Sequence, residues 1–226
     1  MSWLSPDGWQ AVALSLRVSL VATVVALPFA VAVAYALARG QFRGRGVLNA
    51  VVHLPLILPP VVTGYLLLVV FAPRAPVGAA LDALGIRFAF HWTGAALAAG
   101  IMGFPLMVRA IRLAIEAVDP GLEAAAGTLG ANRWRVFWTV TLPLTLPGII
   151  AGAVLGFAKA LGEFGATITF VSNIPGQTQT LPSAIYAFLQ VPGGEGDAAR
   201  LVIVSVLLAF GALGLSEWLA RRERQR

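Results

Sequence analysis

Residues 119–148 read DPGLEAAAGTLGANRWRVFWTVTLPLTLPG, and the reading of this stretch decides the rest. It is polar, it lies between two apolar segments of membrane length, and it carries its own start and stop signals. Asp119 is placed to cap a helix whose first residue is Pro120, where a missing N–H costs nothing and φ is already helical. Gly130 is suited to end that helix in the left-handed conformation. Between them Leu122, Ala125, Ala126 and Leu129 recur at helical spacing, while Ala124, Gly127 and Thr128 leave the remaining surface nearly free of bulk. Such a helix is built to be approached closely. A second short helix is expected from Asn132, as cap, through Arg133, Arg135 and Trp138, with Pro143 and Pro147 stopping regular structure.

Outward from this module the chain is apolar. Hydrophobic residues make up 58% and charged residues 12%, with a mean hydropathy of +0.84, far from the balance of a soluble globular domain. The 226 residues are read as one transmembrane domain, 1–226. Cysteine is absent, which excludes disulfides and thiolate metal sites. The net charge of +6 and pI near 11.0 do not point to nucleic acid, because the basic residues flank apolar segments instead of forming a solvated patch.

Five spans are expected, at about 9–38, 47–71, 93–114, 146–171 and 201–219, with a cytoplasmic loop over 115–145. Met1 to Gln10 lacks the basic region and cleavage site of a signal peptide and is read as retained. The arginines set the orientation. Arg39, Arg43 and Arg45 follow the first span, Arg109, Arg112, Arg133 and Arg135 surround the module, and Arg221, Arg222, Arg224 and Arg226 follow the last span. Positive charge inside then puts the N-terminus outside and the C-terminus in the cytoplasm. Arg17, near the start of the first span, is placed to snorkel. In the second span Pro55, Pro59, Pro60 and Gly64 must break or kink the helix, which lipid tolerates only against protein or a water-lined cavity. The connection after it, LDALGIRFAF, is read as a short amphipathic surface helix, and another is expected over 182–189. Small residues of the third span, Ala95 to Gly103, permit close helix packing.

Chemistry is sparse. There is no phosphate loop, no HExxH, no GxSxG and no carboxylate cluster, and His53 and His91 stand apart, so no catalytic residue, no metal and no cofactor bound by this chain is expected. Lys159 and Glu163 are the two opposite charges at membrane depth, four residues apart and able to face each other on one helix. Two readings stand for them: an anion-handling pair on a conduction path, or a neutralised pair locking helix packing. Pro59, Pro60, Thr63, Gly64, Thr167 and Thr169 are likewise candidates to line a path or to pack helices. A secondary anion transporter is disfavoured by the lack of an internal repeat, and a membrane scaffold by the broken second span.

The module resembles the cytoplasmic EAA loop of permease subunits in bacterial ABC importers. Gly130, Val140, Leu142 and Pro143 keep that pattern's spacing, whereas the glutamate is displaced: Ala124 stands in its place, Ala125 and Ala126 are the alanine pair, and Glu123 lies one position early, about 100° away around the helix. HLPLILPPVVTGYLLLV, FPLMVRAIRLAIEAVD and LGEFGATITFVSNIPGQT extend the likeness to the permease subunits of molybdate importers, with sulfate, thiosulfate and tungstate permeases similar enough to stay as alternatives. The resemblance implies an all-α, type I importer fold in the bacterial inner membrane and a homodimer in contact with membrane lipid. It further implies two cytoplasmic ATPases holding ATP-Mg, and a periplasmic oxyanion-binding protein. Glu123, Ala124, Ala125, Ala126, Gly130, Leu142 and Pro143 would then couple the permease to the ATPases.

Overall fold

The computed structural model describes residues 3–224, with the side chains of 213, 215–217 and 219–224 outside the description, so those of Arg221, Arg222 and Arg224, and the whole of Arg226, fall beyond it. Among the described residues every regular element is helical. Helix α1, Pro6–Arg39, starts where Pro6 takes the first helical position and Ser5 Oγ accepts from the Gly8 N–H at 3.2 Å. The expected second span is two helices, α2 Arg45–Ile57 and α3 Pro60–Phe71, whose axes bend by 112°. The physical cause is local: Leu58 and Pro59, each preceding a proline, are extended, and two consecutive residues lack an N–H.

The external helix lies earlier than the sequence suggested. Helix α4 is Pro76–Ala83, so most of LDALGIRFAF is not helical. Pro76 supplies the start signal, and Gly85, at φ +75°, ends the turn that follows. Helix α5 runs Trp92–Glu116, α6 Pro120–Thr128 and α7 Arg133–Val136.

Pro143 and Pro147 do not stop regular structure. The chain passes from α7 through a π-helical turn, Phe137–Thr141, straight into α8, Leu142–Leu161. The Leu142 N–H reaches back five residues to the Phe137 carbonyl, widening the helix where the Pro143 ring would meet the carbonyl four residues before it. The fourth span is in turn shorter than expected at its far end, because the chain breaks at residues 162–164 before α9, Gly165–Val171. Helices α10, Leu181–Leu189, and α11, Glu195–Arg224, complete the order.

Among the described residues, α1, α5 and the continuous Arg133–Leu161 segment are each long and apolar enough to cross a membrane, and the bent α2–α3 pair makes a fourth such unit. Helix α5 is the centre. Its Gly94, Ala95, Ala98, Ala99 and Gly103 are buried, and α1 and α8 pack against it. At Gly103 a Cβ would lie 3.0 Å from the Gly156 carbonyl, so backbone meets backbone and van der Waals contact supplies the cohesion that lipid cannot. One end of the bundle gathers Leu4, Leu181 and Leu201, joining the starts of α1, α10 and α11. At the opposite end the Arg39 guanidinium donates to the Val118 carbonyl at 2.8 Å, and Arg112 reaches Asn49 at 3.1 Å.

Candidate functional site

The 119–145 region forms at that second end, and its caps are those the sequence calls for. Asp119 Oδ1 accepts from the Gly121 N–H at 2.8 Å, Asn132 Oδ1 from the Arg135 N–H at 2.9 Å, and Gly130 turns the chain at φ +84°. None of the residues of α6 is buried. Leu129 is 89% exposed, Trp134 75% and Trp138 61%, and Leu122 is half exposed. Four large apolar side chains thus stand in the open on one short polar module.

Behind this face the module is fixed to the bundle. Glu123 pairs with Arg39 at 3.0 Å and accepts from Thr141 Oγ1 at 2.7 Å, with both members of the ion pair about four-fifths buried. The Arg39 Nε–H is not aligned on the carboxylate, so the pair is held by charge, and the aligned donations are those of Thr141 to Glu123 and of Arg39 to Val118. The glutamate displaced from the EAA position therefore faces inward, onto the end of α1 and the π turn. Tyr35 and Phe137 meet edge-on, centroids 5.0 Å apart, and Phe137 meets Trp138 at 5.4 Å, completing the seat. Ala124 and Ala125 stay exposed beside it, and Ala126 is half-buried. Leu142 and Pro143 lie at the start of α8, one π turn after α7.

A second cluster sits within the bundle, where α3 packs on α9. A Cβ on Gly64 would lie 2.4 Å from the Ala166 carbonyl, and one on Gly165 would lie 2.8 Å from Pro60 Cβ. Thr63 is 6% exposed and its hydroxyl has no hydrogen-bond partner. Thr167 turns its hydroxyl back to the Phe164 carbonyl at 2.9 Å, while Pro59 and Pro60 are exposed at the bend. Lys159 Nζ donates to Glu163 at 2.6 Å, but the two do not share a helix. Glu163 lies in the break, 2% exposed, and its other carboxylate oxygen accepts from the Ala166 N–H at 3.0 Å, satisfying a donor in the first turn of α9. One carboxylate thus neutralises a lysine and starts a helix.

With these arrangements in place, the comparison with known proteins is direct. Residues 26–225 match the family described as binding-protein-dependent transport system inner membrane component. The chain belongs to that family. This inner membrane component is 62% identical over 224 residues to the molybdenum transport system permease protein of Escherichia coli strain K12, spanning 99% of this chain and 98% of that one. It is 53% identical over 217 residues to the corresponding protein of Haemophilus influenzae, spanning 96% and 95%. Its fold is similar to that of a bacterial ABC transporter involved in the import of alginate, with a TM-score of 0.76 and 20% identity, covering 96% of this chain and 80% of that chain.

Sequence reasoning missed several residues on which this inner membrane component depends. Arg39 and Thr141 anchor the 119–145 region through Glu123, yet Arg39 reads only as a flanking positive charge, and no local signal links it to Glu123, 84 positions later. Gly165 and Ala166 complete the α3–α9 contact. The glycines at 162 and 165 around Glu163 are the signal that could have revealed the break.

Proposed function

We propose that the chain is the transmembrane permease subunit of an ATP-driven importer that carries molybdate, delivered by a periplasmic binding protein, across the inner membrane. The observation that carries this reading is the open apolar face of α6 and α7, seated on the bundle by Glu123 and Arg39. A surface of this kind suits a soluble partner that pushes and pulls on it, and the partner implied by the family is a cytoplasmic ABC ATPase. Ala124, Ala125, Ala126 and Gly130 present the backbone, while Leu142 and Pro143 pass movement into α8.

In this reading the chain has five spans, with α11 the fifth, its N-terminus outside and its C-terminus in the cytoplasm. Two copies pair in the membrane and two ATPases, holding ATP-Mg, dock beneath them. The chain itself performs no catalysis and holds no cofactor or metal. The gathering of Arg39, Arg43, Arg45, Arg112, Arg133 and Arg135 at the docking end supports the orientation. Movement at α6 rocks α8 and so the α8–α9 break. The path runs beside Pro59, Pro60, Thr63 and Gly64 of the bent pair and Lys159, Glu163 and Thr167 of the break. Molybdate is supported as cargo by the two relatives named for molybdenum transport; tungstate, sulfate and thiosulfate are the alternatives. A secondary anion transporter would need no open docking face.

Uptake of labelled molybdate into proteoliposomes tests the reading, with the chain, its ATPase and its binding protein present, ATP inside and excess sulfate as competitor. Uptake requiring all three components and surviving sulfate is the expected result. Loss of signal to sulfate reassigns the cargo, and uptake without the ATPase overturns the reading.

A further inference from the structure

We infer that the chain carries a phospholipid site, with the phosphate at Arg17 and one acyl chain lying in the groove between α1, α2 and α5. The groove has a volume of about 610 Å³ and its walls include Val21, Val25 and Phe29 of α1, Val51 and Pro55 of α2, and Ile101 of α5. Among its lining residues Thr93 alone has a polar side chain, and that hydroxyl is already donated to the Arg87 carbonyl. The walls therefore offer an occupant no side-chain hydrogen bond, and only hydrocarbon fits without an unpaired polar group.

Arg17 marks one end of this groove. Residues 17, 21, 25 and 29 are spaced by four, so the arginine stands on the same face of α1 as the groove wall, one turn above Val21. Its guanidinium lies 3.8 Å from the centre of the Trp92 ring, next to Thr93, and no carboxylate pairs with it among the described residues. Stacking uses the face of the guanidinium and leaves its in-plane N–H groups free for a bidentate phosphate. The depth agrees. At 1.5 Å per residue Arg17 and Arg39 are about 33 Å apart along α1, close to the hydrocarbon thickness of roughly 30 Å, which puts Arg17 at headgroup level when Arg39 is at the opposite surface. From Arg17 to Phe29 is about 18 Å, the reach of one acyl chain across one leaflet. An unpaired cation at headgroup depth above a dry slot of that length selects a phospholipid over a bare helix from a second copy. The inference rests on the membrane location alone and not on the cargo.

The test uses phosphatidylglycerol with a photoactivatable group on its acyl chain, in nanodiscs holding the full chain with its ATPase. Labelling should concentrate on peptides containing Val25, Phe29 and Ile101. Arg17→Gln should lower it about tenfold, the loss of one charge-assisted hydrogen-bonding group. Gly100→Leu should remove it, since a Cβ there stands 3.6 Å from the nearest atom and the longer side chain fills the slot. Labelling spread evenly over the bundle, labelling unchanged in Arg17→Gln, or capture of a second copy of the chain by a photoreactive residue at Val25 would each overturn the lipid site. Molybdate uptake is a separate readout, so failure of either reading leaves the other standing.

Discussion

Glycine does opposite things in the two regions of this molecule. On α6 and its turn, a Cβ at Gly127 or Gly130 would meet nothing within 4 Å; in the α3–α9 contact, a Cβ at Gly64 would be driven into the Ala166 carbonyl at 2.4 Å. The first region is open on its outer side, as the proposed docking of a partner needs, and the second is kept small for another part of the same chain. Changes in the inner contact should therefore be felt as stability, and changes on the docking face as association.

The largest effect expected is at Glu163. Replacing it alone with leucine leaves Lys159 unpaired and α9 without its acceptor, a loss of about 3–5 kcal/mol, whereas replacing both residues with leucine should restore the share due to the unpaired lysine and leave only that of the Ala166 N–H. Thermal unfolding of the single and double variants decides this, and equal melting points would break the account of a neutralised pair. Gly64→Ala comes next, costing about 1–3 kcal/mol by overpacking. If this variant melts like the parent, α3 and α9 are not interlocked. On the other side of the comparison, Ala125→Arg should leave the melting point unchanged while lowering recovery of the ATPase with the chain by about tenfold or more, roughly 1.4 kcal/mol or above in affinity. Normal recovery would mean that α6 is not where the partner sits. The smallest effect, about 1 kcal/mol of stability, is expected for Glu123→Ala, which frees Arg39 and Thr141. It sharpens the contrast because Glu123 joins the regions: ATPase should still bind, but molybdate uptake per ATP hydrolysed should fall.

What could be read in advance follows the same division. Asp119, Asn132 and Gly130 act within three residues of themselves, so their caps and turn are legible from spacing. The bend at Pro59 and Pro60 is legible for the same reason. Pro143 misleads because its effect depends on the turn before it, and a π turn has no sequence signal of comparable strength, while Pro147 is simply carried inside α8. The Glu123–Arg39 pair and the Gly64–Ala166 contact join residues far apart in the chain, and only the packed bundle reveals them. Resemblance supplied what spacing could not, namely the proposal that this small, open helix receives an ATPase.

The π-helical turn at Phe137–Thr141 has a mechanical consequence. It is one residue longer than the α-helical turn it replaces, and one residue is about 100° of rotation. The docking face and the inner faces of α8 are therefore out of phase with each other by design of the chain, and removing a single residue from the turn would swing α6 a quarter-revolution about the axis of α8 without disturbing a contact deeper in the bundle.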